Sequence, residues 1–259
     1  MRRLTRLIIS NERLKLSKNN ILELTNKESH YLNKVMRTSI NDEILITDGL
    51  GSLWNATIIK DNFVELVNFK KPLLSKKPQS LRLGLATSIP KNGFEDILKM
   101  STEIGIDFIQ PLITDRQIKR INNLSAKALR WDFILNESVE QCERLWKPKL
   151  LPCLTISKWI PTVIEKDFIT ISVTRSKNPK SLGKLLREIE LNSKKKDKIF
   201  WNVIGPEGGW SQNEIRSFME YKIQLVKLSE NILRTSTAAI NASFIMDNWR
   251  SENIELNDF

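Results

Sequence analysis

Cysteine and histidine are nearly missing from this chain: 259 residues hold two cysteines, Cys142 and Cys153, and one histidine, His30. Two thiols without metal-ligand spacing and with a single imidazole make neither a disulfide framework nor a zinc site. His30 also lies far from any nucleophile signature, which argues against a Ser-His-Asp triad. No metal is expected. Long apolar runs are missing as well; none approaches the roughly 18 residues of a membrane span. The N-terminus, Met1-Arg2-Arg3-Leu4-Thr5-Arg6-Leu7-Ile8-Ile9, is basic and then apolar, but Asn11-Glu12-Arg13 cuts the apolar stretch short of a signal peptide. The expectation is a cytoplasmic protein with its N-terminus retained and no membrane partner.

What the chain does hold in excess is positive charge. Forty-one Lys and Arg against thirty Asp and Glu give a formal net charge of +11. Such a surplus favours a polyanionic partner through phosphate neutralisation and counterion release, the alternative being a merely solvated basic surface. With 41% hydrophobic and 27% charged residues, the composition is that of a globular chain able to bury a core.

The segment Lys70-Lys71-Pro72-Leu73-Leu74-Ser75-Lys76-Lys77-Pro78 is basic and twice interrupted by proline, so it reads as a linker. Before it, Glu43–Thr47 and Leu53–Ile59 flank the turn residues Asp48-Gly49-Leu50-Gly51 and predict a hairpin. Phe63 to Phe69 offers a further strand, and one helix is expected between Lys27 and Arg37. A small β-barrel-like module fits this pattern. After the linker, β-prone apolar runs at Leu81–Ala86, Phe108–Ile113, Phe168–Val173, Ile199–Ile204 and Ile223–Leu228 alternate with helical patterns. Those helices cover Phe94 to a stop at Gly105, about Ser125 to Leu145, and Leu182 to Leu191. Strand–helix alternation of this kind predicts a parallel sheet covered on both faces, hence an α/β domain.

Ligands of open α/β sheets bind beyond the carboxyl ends of the strands. The richest such junction is Ile204-Gly205-Pro206-Glu207-Gly208-Gly209-Trp210-Ser211-Gln212-Asn213-Glu214, a strand running into a glycine-rich turn and then a helix. Ser211 and Glu214 have the spacing of a capping box. Neither the P-loop pattern nor the dinucleotide G-x-G-x-x-G pattern is present. The glycines serve either a tight turn or a loop to which a ligand comes close. A second segment, Leu228-Ser229-Glu230-Asn231-Ile232-Leu233-Arg234-Thr235-Ser236-Thr237-Ala238-Ala239, passes from strand through polar loop into a helix starting near Thr235 or Ser236. Its small residues suit close approach to a ligand or simply an N-cap followed by good helix formers.

Gly205 to Gly209, followed by Leu228 and Ile232-Leu233-Arg234-Thr235-x-Thr237-Ala238, resemble the paired signatures of the RsmE family, ribosomal small-subunit RNA methyltransferases acting on uridine N3, within the knotted SPOUT superfamily. Lys91, Lys99 and Glu103-Ile104-Gly105 are similar to the family's K-x-x-E-L-G stretch. Pro111, Thr114 and Arg116 are similar to its P-x-x-x-x-R, and Glu140-Gln141-Cys142-x-Arg144 with Pro148 to its E-Q-x-x-R…P. His30-Tyr31-Leu32, Val35-Met36-Arg37 and Asp48-Gly49 match its N-terminal module. The resemblance spans nearly the whole chain. It departs at Ser236, where the family has glutamate, and mildly at Ile104 and Cys142.

The resemblance implies an α/β fold: a SPOUT-type, trefoil-knotted parallel sheet domain at residues 73–259, preceded by a small PUA-like β-barrel domain at 1–72. It implies S-adenosyl-L-methionine as cofactor, held by Val173, Thr174, Ile204, Gly205, Pro206, Glu207, Gly208, Gly209, Leu228, Ile232, Leu233, Arg234, Thr237 and Ala238. Arg234 and Glu207 are the catalytic candidates, Arg234 to favour deprotonated uracil and Glu207 to orient the cofactor or else to assist proton removal. Arg2, Arg3, Arg6, His30, Arg37, Arg116, Lys119, Arg120 and Arg144 are the candidate RNA contacts. The implied partners are small-subunit ribosomal RNA, free or in the assembled subunit, and a second copy of the chain, with the last helix, Thr237 to Arg250, available for dimer contacts. The competing readings are a SPOUT methyltransferase acting on another RNA site and a non-catalytic RNA-binding ribosome assembly factor.

Overall fold

A computed structural model describes residues 4–117, 123–176, 178–189 and 198–254. Arg2, Arg3, Lys119 and Arg120 lie outside the described residues. The chain divides into two compact units, Met1–Pro78 with Asn136–Lys147, and Gln79–Leu135 with Pro148–Phe259.

In the first unit, β1 (Thr5–Ile8), α1 (Asn11–Lys15), β2 (Ile21–Glu23), α2 (Asn26–His30), β3 (Glu43–Thr47), β4 (Ser52–Lys60), β5 (Phe63–Leu66) and β6 (Leu74–Ser75) follow one another. The strands form one sheet in the order β1-β3-β4-β5-β2, with β6 added on β4. Alternation sets the core: Ile44 and Ile46 of β3, Trp54, Ala56 and Ile58 of β4, and Val64 and Leu66 of β5 are all buried. The expected hairpin turn is built by the Asp48 carboxylate, which accepts from the Leu50 and Ser52 amides at 2.8 and 3.0 Å. Gly49 and Gly51 take positive φ in that turn. The expected helix from Lys27 begins on a Thr25/Glu28 capping box, then widens after His30 into one π turn, Tyr31–Val35. The strand expected to reach Phe69 ends at Leu66, and one further backbone bond, from Val67 N to Asn55 O at 3.0 Å, continues its pairing with β4. The proline-bearing segment expected as a linker carries β6, and Lys76 N donates to Gly51 O at 2.9 Å.

Glu140 is the charged group most affected by burial in this unit. Its Oε1 accepts from the Ile8 amide at 2.9 Å. Burial pushes its carboxyl up to about 7 against the opposing Ile8 hydrogen bond, and Glu137 and Glu28 add smaller repulsions in the same direction as burial. An acid whose folded pKa lies above its unfolded value of 4.5 adds stability that is complete below pH 4.5 and is lost as pH rises through about 7. The amount at stake is at most about 3 kcal/mol. Glu140→Gln keeps an acceptor for Ile8 and removes the titration. Thermal melts at pH 5 and pH 8 should therefore show wild type losing several degrees more than Glu140→Gln between the two; equal losses would refute the assignment.

In the second unit, β7 (Arg82–Ser88), α3 (Phe94–Ile104), β8 (Phe108–Ile113), α4 (Leu124–Cys142), β9 (Lys149–Leu150), β10 (Leu154–Thr155), α5 (Ile156–Val163), β11 (Phe168–Ser172), β12 (Lys180–Ser181), α6 (Leu182–Arg187), β13 (Ile199–Ile204), α7 (Gln212–Glu220), β14 (Gln224–Lys227) and α8 (Thr235–Ile254) form the α/β body. The last turns of α4, from Asn136, belong to the first unit. The sheet runs β10-β8-β7-β13-β11-β14-β12, with β9 on β8, and its described pairings are all parallel. Both faces are covered, as the alternation predicts. Leu83, Leu85, Phe200 and Ile204 pack under α3, α4, α6 and α8. Ala86, Trp201 and Val203 pack under α5 and α7. The expected strands at 108–113 and 199–204 are matched end to end. Gly105 ends α3 at φ 126°, where an added Cβ would stand 2.6 Å from the Arg250 guanidinium. Arg250, 4% exposed, bonds Asp107 at 2.8 Å and ties the far half of α8 to this corner. The third expected helix stops at Arg187; Leu191 lies outside the described residues. No helix among the described residues is long and apolar enough to cross a membrane.

Candidate active site

β13, β11 and β14 are successive neighbours in the sheet and run in one direction, so their carboxyl ends fall side by side. The chain leaving them forms three loops, from Ser172, from Ile204 and from Lys227, around a cavity of about 820 Å³. That lies within the range of about 300–1,000 Å³ usual for cofactor pockets.

The glycine loop is the wall most tightly specified by its sequence. Gly209 N donates to Pro206 O at 2.9 Å, closing the turn, and Gly209 takes φ 69°. A Cβ on Gly205 would come 2.8 Å from the Trp210 ring. That ring is held by Nε1 donating to Ser172 O at 2.9 Å and by an edge contact with Phe218. The capping box at Ser211 and Glu214 forms as the spacing predicts. Glu214, 5% exposed, also reaches beyond its own helix. Its Oε1 accepts the Asp115 amide at 3.0 Å, while Ser211 Oγ donates to Asp115 at 2.5 Å. The loop after β8 is thereby fastened to the start of α7, and Arg116 Nη1 donates to Gly208 O at 3.3 Å. Glu207 Oε1 accepts the Lys91 amide at 3.0 Å, which fixes the loop after β7 to the same turn.

The opposite wall is the segment into α8. Thr235 Oγ1 donates to Gly205 O at 3.3 Å, tying the start of α8 to the end of β13, and Asn241 Nδ2 of α8 donates to Leu228 O at 3.1 Å, tying the start of the segment to that helix. Ile232, 68% exposed, and the half-buried Leu228 and Leu233 offer an apolar surface. Arg116, Arg175 and Arg234 bring positive charge to the lining, Glu207 negative charge; Lys227 and Glu230 pair with each other at 2.6 Å. Beneath the floor, Ser172 Oγ donates to Asn202 Oδ1 at 2.9 Å and Asn202 Nδ2 to Thr170 Oγ1 at 2.8 Å. Asn202 and Thr170 are buried, Ser172 is half-buried, and each has a partner in this polar chain, which stiffens the strand ends.

Of the residues expected to hold the cofactor, Val173, Thr174, Ile204, Gly205, Pro206, Glu207, Gly208, Gly209, Leu228, Ile232, Leu233, Arg234 and Ala238 line this one cavity. Thr237 is exposed on α8 and does not line it. Sequence reasoning missed Ser172, Arg175 and Trp210; an indole next to two glycines was the available signal for the last. Arg116, expected to touch RNA, lines the cavity. Arg6 is held by Glu143, and its side chain is only 10% exposed. His30 and Arg37 are exposed, and Arg144 is half-buried.

Residues 77–247 match the family model of an RNA methyltransferase domain, and residues 24–67 that of an RNA methyltransferase PUA domain. The chain is 31% identical over 216 residues to the ribosomal RNA small subunit methyltransferase E of Synechocystis sp., covering 83% of this chain and 69% of the relative. Among solved structures, the ribosomal RNA small subunit methyltransferase E of Neisseria gonorrhoeae bound to S-adenosyl methionine superposes with a TM-score of 0.76 at 26% identity, over 95% of this chain and 98% of that one. A methyltransferase of Legionella pneumophila, solved with bound SAM, has a TM-score of 0.80 at 24% identity over 95% and 98% of the two chains.

Proposed function

The chain belongs to the family of ribosomal RNA small subunit methyltransferases E, and on that premise we propose that it moves a methyl group from S-adenosylmethionine to N3 of a uridine in 16S ribosomal RNA. The observation that carries this reading is the convergence of both family signatures on one cavity at the ends of β11, β13 and β14. The residues fit the cofactor: apolar Leu228, Ile232 and Leu233 for the adenine, the glycine turn 205–209 as a backbone wall, and charged groups of both signs for a zwitterionic tail. When bound, the cofactor supplies an electrophilic methyl on its sulfonium. Everything else falls to the chain. Glu207 is a positioning residue, since its carboxylate already holds the Lys91 amide. Arg234 faces the same cavity and favours the N3-deprotonated uracil by its fixed charge. The uridine must be unpaired to present N3.

In this reading residues 1–72 are the RNA-binding PUA-like domain and 73–259 the methyltransferase domain with the family's trefoil knot. The exposed arginines and His30 contact RNA, and a second copy packs on α8, where Phe244 is 62% exposed. The protein works in the cytoplasm on free or assembled small-subunit RNA.

The test is calorimetric titration with S-adenosylmethionine, followed by transfer of labelled methyl to small-subunit RNA and mapping of the modified base. Saturable binding with N3-methyluridine as product supports the reading. Methylation at another atom moves it to a different RNA target, and RNA binding without cofactor binding leaves an assembly factor. Arg234→Ala should lower kcat about 100-fold, the usual effect of removing one preorganised charge-stabilising group. Its rate should then climb with pH more steeply than wild type, because alkali performs the deprotonation. Parallel pH–rate profiles would remove Arg234 from this role.

A further inference from the structure

The first unit has a cavity of its own, about 460 Å³, which the methyl-transfer reading does not use. Its lining comes from α2, the π turn after it, the loop before β3 and the turn between β4 and β5. Ser29 forms a buried polar floor, 6% exposed, donating to Asp61 O and bonding Asn62 Oδ1 at 2.9 Å. Asn33 Nδ2 reaches Ser29 Oγ at 3.3 Å and Asp61 O at 3.4 Å, so the floor is a pre-ordered set of amide and hydroxyl groups. Ile58 is a buried apolar wall and Ile40, 54% exposed, an apolar lip. His30 and Lys34 lie one turn apart and are both exposed. The π turn begins directly after His30 and includes Lys34, and such turns occur frequently at functional sites.

We propose that this cavity takes one unpaired nucleotide. An apolar lip and wall for a base, fixed amide and hydroxyl groups for its edge, and Lys34 with His30 for the adjoining phosphate meet within a volume suited to a single nucleotide unit. Asp61 in the lining provides an acceptor for a base N–H and disfavours a ligand with several clustered phosphates. The net charge of +11 favours a unit within an RNA strand over a free nucleotide, since a strand gains from the rest of the basic surface. The inference rests on the reading of the chain as an RNA-modifying enzyme, and it names where the small domain grips that RNA.

The test uses the full chain, a fluorescein-labelled oligouridylate and UMP. Lys34→Glu and Ile40→Asp change exposed positions and leave the core intact. Each should weaken oligouridylate binding about tenfold, the effect of losing one phosphate or stacking contact. Lys18→Glu, an equally exposed charge reversal outside the lining, should weaken it no more than about threefold by general electrostatics. UMP should compete weakly with the strand. Lining variants no worse than Lys18→Glu, or no strand binding by wild type, would overturn the proposal. UMP binding as tight as the strand would overturn the assignment to RNA in favour of a free nucleotide. S-adenosylmethionine titration of the same samples separates this failure from failure of the enzyme reading, because the cofactor cavity is built by other residues.

Discussion

Gly205→Val should weaken S-adenosylmethionine binding at least about 100-fold, equivalent to roughly 3 kcal/mol. A Cβ at this position stands 2.8 Å from Cε2 of Trp210 and 3.1 Å from Cζ2, and the branched side chain adds two methyl groups beyond it. The indole cannot retreat cheaply. Its Nε1 is bonded to Ser172 O at 2.9 Å, and its ring stands edge-on to the fully buried Phe218. Moving it breaks that bond and shifts the loop from β11, while the same displacement pulls Gly205 O from Thr235 Oγ1 at the start of α8. All three walls of the cavity are then misplaced by one substitution. Gly209→Ala is the matched control. Nothing lies within 4 Å of its added Cβ, and the only cost is a left-handed backbone, on the order of 1 kcal/mol, so binding should weaken less than about tenfold. Calorimetry on both variants, with circular dichroism to confirm folding, decides the matter. Near-native affinity in folded Gly205→Val would mean that this cavity is not the cofactor site.

Why this wall could be anticipated, and others not, follows from the range over which each signal acts. The capping box at Ser211 and Glu214 is a spacing of three residues and was legible as such. The strands at 108–113 and 199–204 are continuous apolar runs with turn residues at both ends, the pattern of a sheet buried on both faces. The two-residue strands at Lys149–Leu150, Leu154–Thr155 and Lys180–Ser181 have no period to read; they exist because a neighbouring strand offers a free edge. β1 was masked by the signal-like basic start, and its pairing partner β3 is about forty residues away. Within the site, the glycines and Arg234 announced themselves by type. Ser172, Asn202 and Asp115 did not, because an ordinary polar residue becomes part of a site only through partners thirty or more residues distant. The π turn at Tyr31–Val35 was equally hidden, since its sequence is compatible with an unbroken helix.

Gly84→Ala should be the most destabilising single-methyl change in the second unit, costing about 3 kcal/mol and lowering the melting temperature by roughly 6–12 °C. Glycine in the middle of a buried strand is ordinarily a weakness. Here it makes room for a neighbour. Gly84 of β7 is in register with Trp201 of β13, and a Cβ on it would stand 2.3, 2.4 and 2.6 Å from three atoms of the indole. Real side chains do not approach so closely, so either the ring or the strand must move. The ring is held from several directions: it is 1% exposed, edge-on to Trp159 at 5.3 Å, and its Nε1 donates to Asp167 Oδ2 at 2.9 Å. Asp167 in turn accepts the Ile199 amide at 3.0 Å, so a displaced indole also loosens the start of β13. If this clash is the cause, removing the indole must remove most of the penalty. Trp201→Leu alone leaves a cavity and is itself destabilising. In that background the added methyl of Gly84→Ala enters vacated space, and its cost should fall below about 1 kcal/mol, a coupling of roughly 2 kcal/mol between the two positions. Chemical denaturation of the four proteins measures it. Additive costs would show that the glycine is needed for the backbone of β7 and not for the indole it faces.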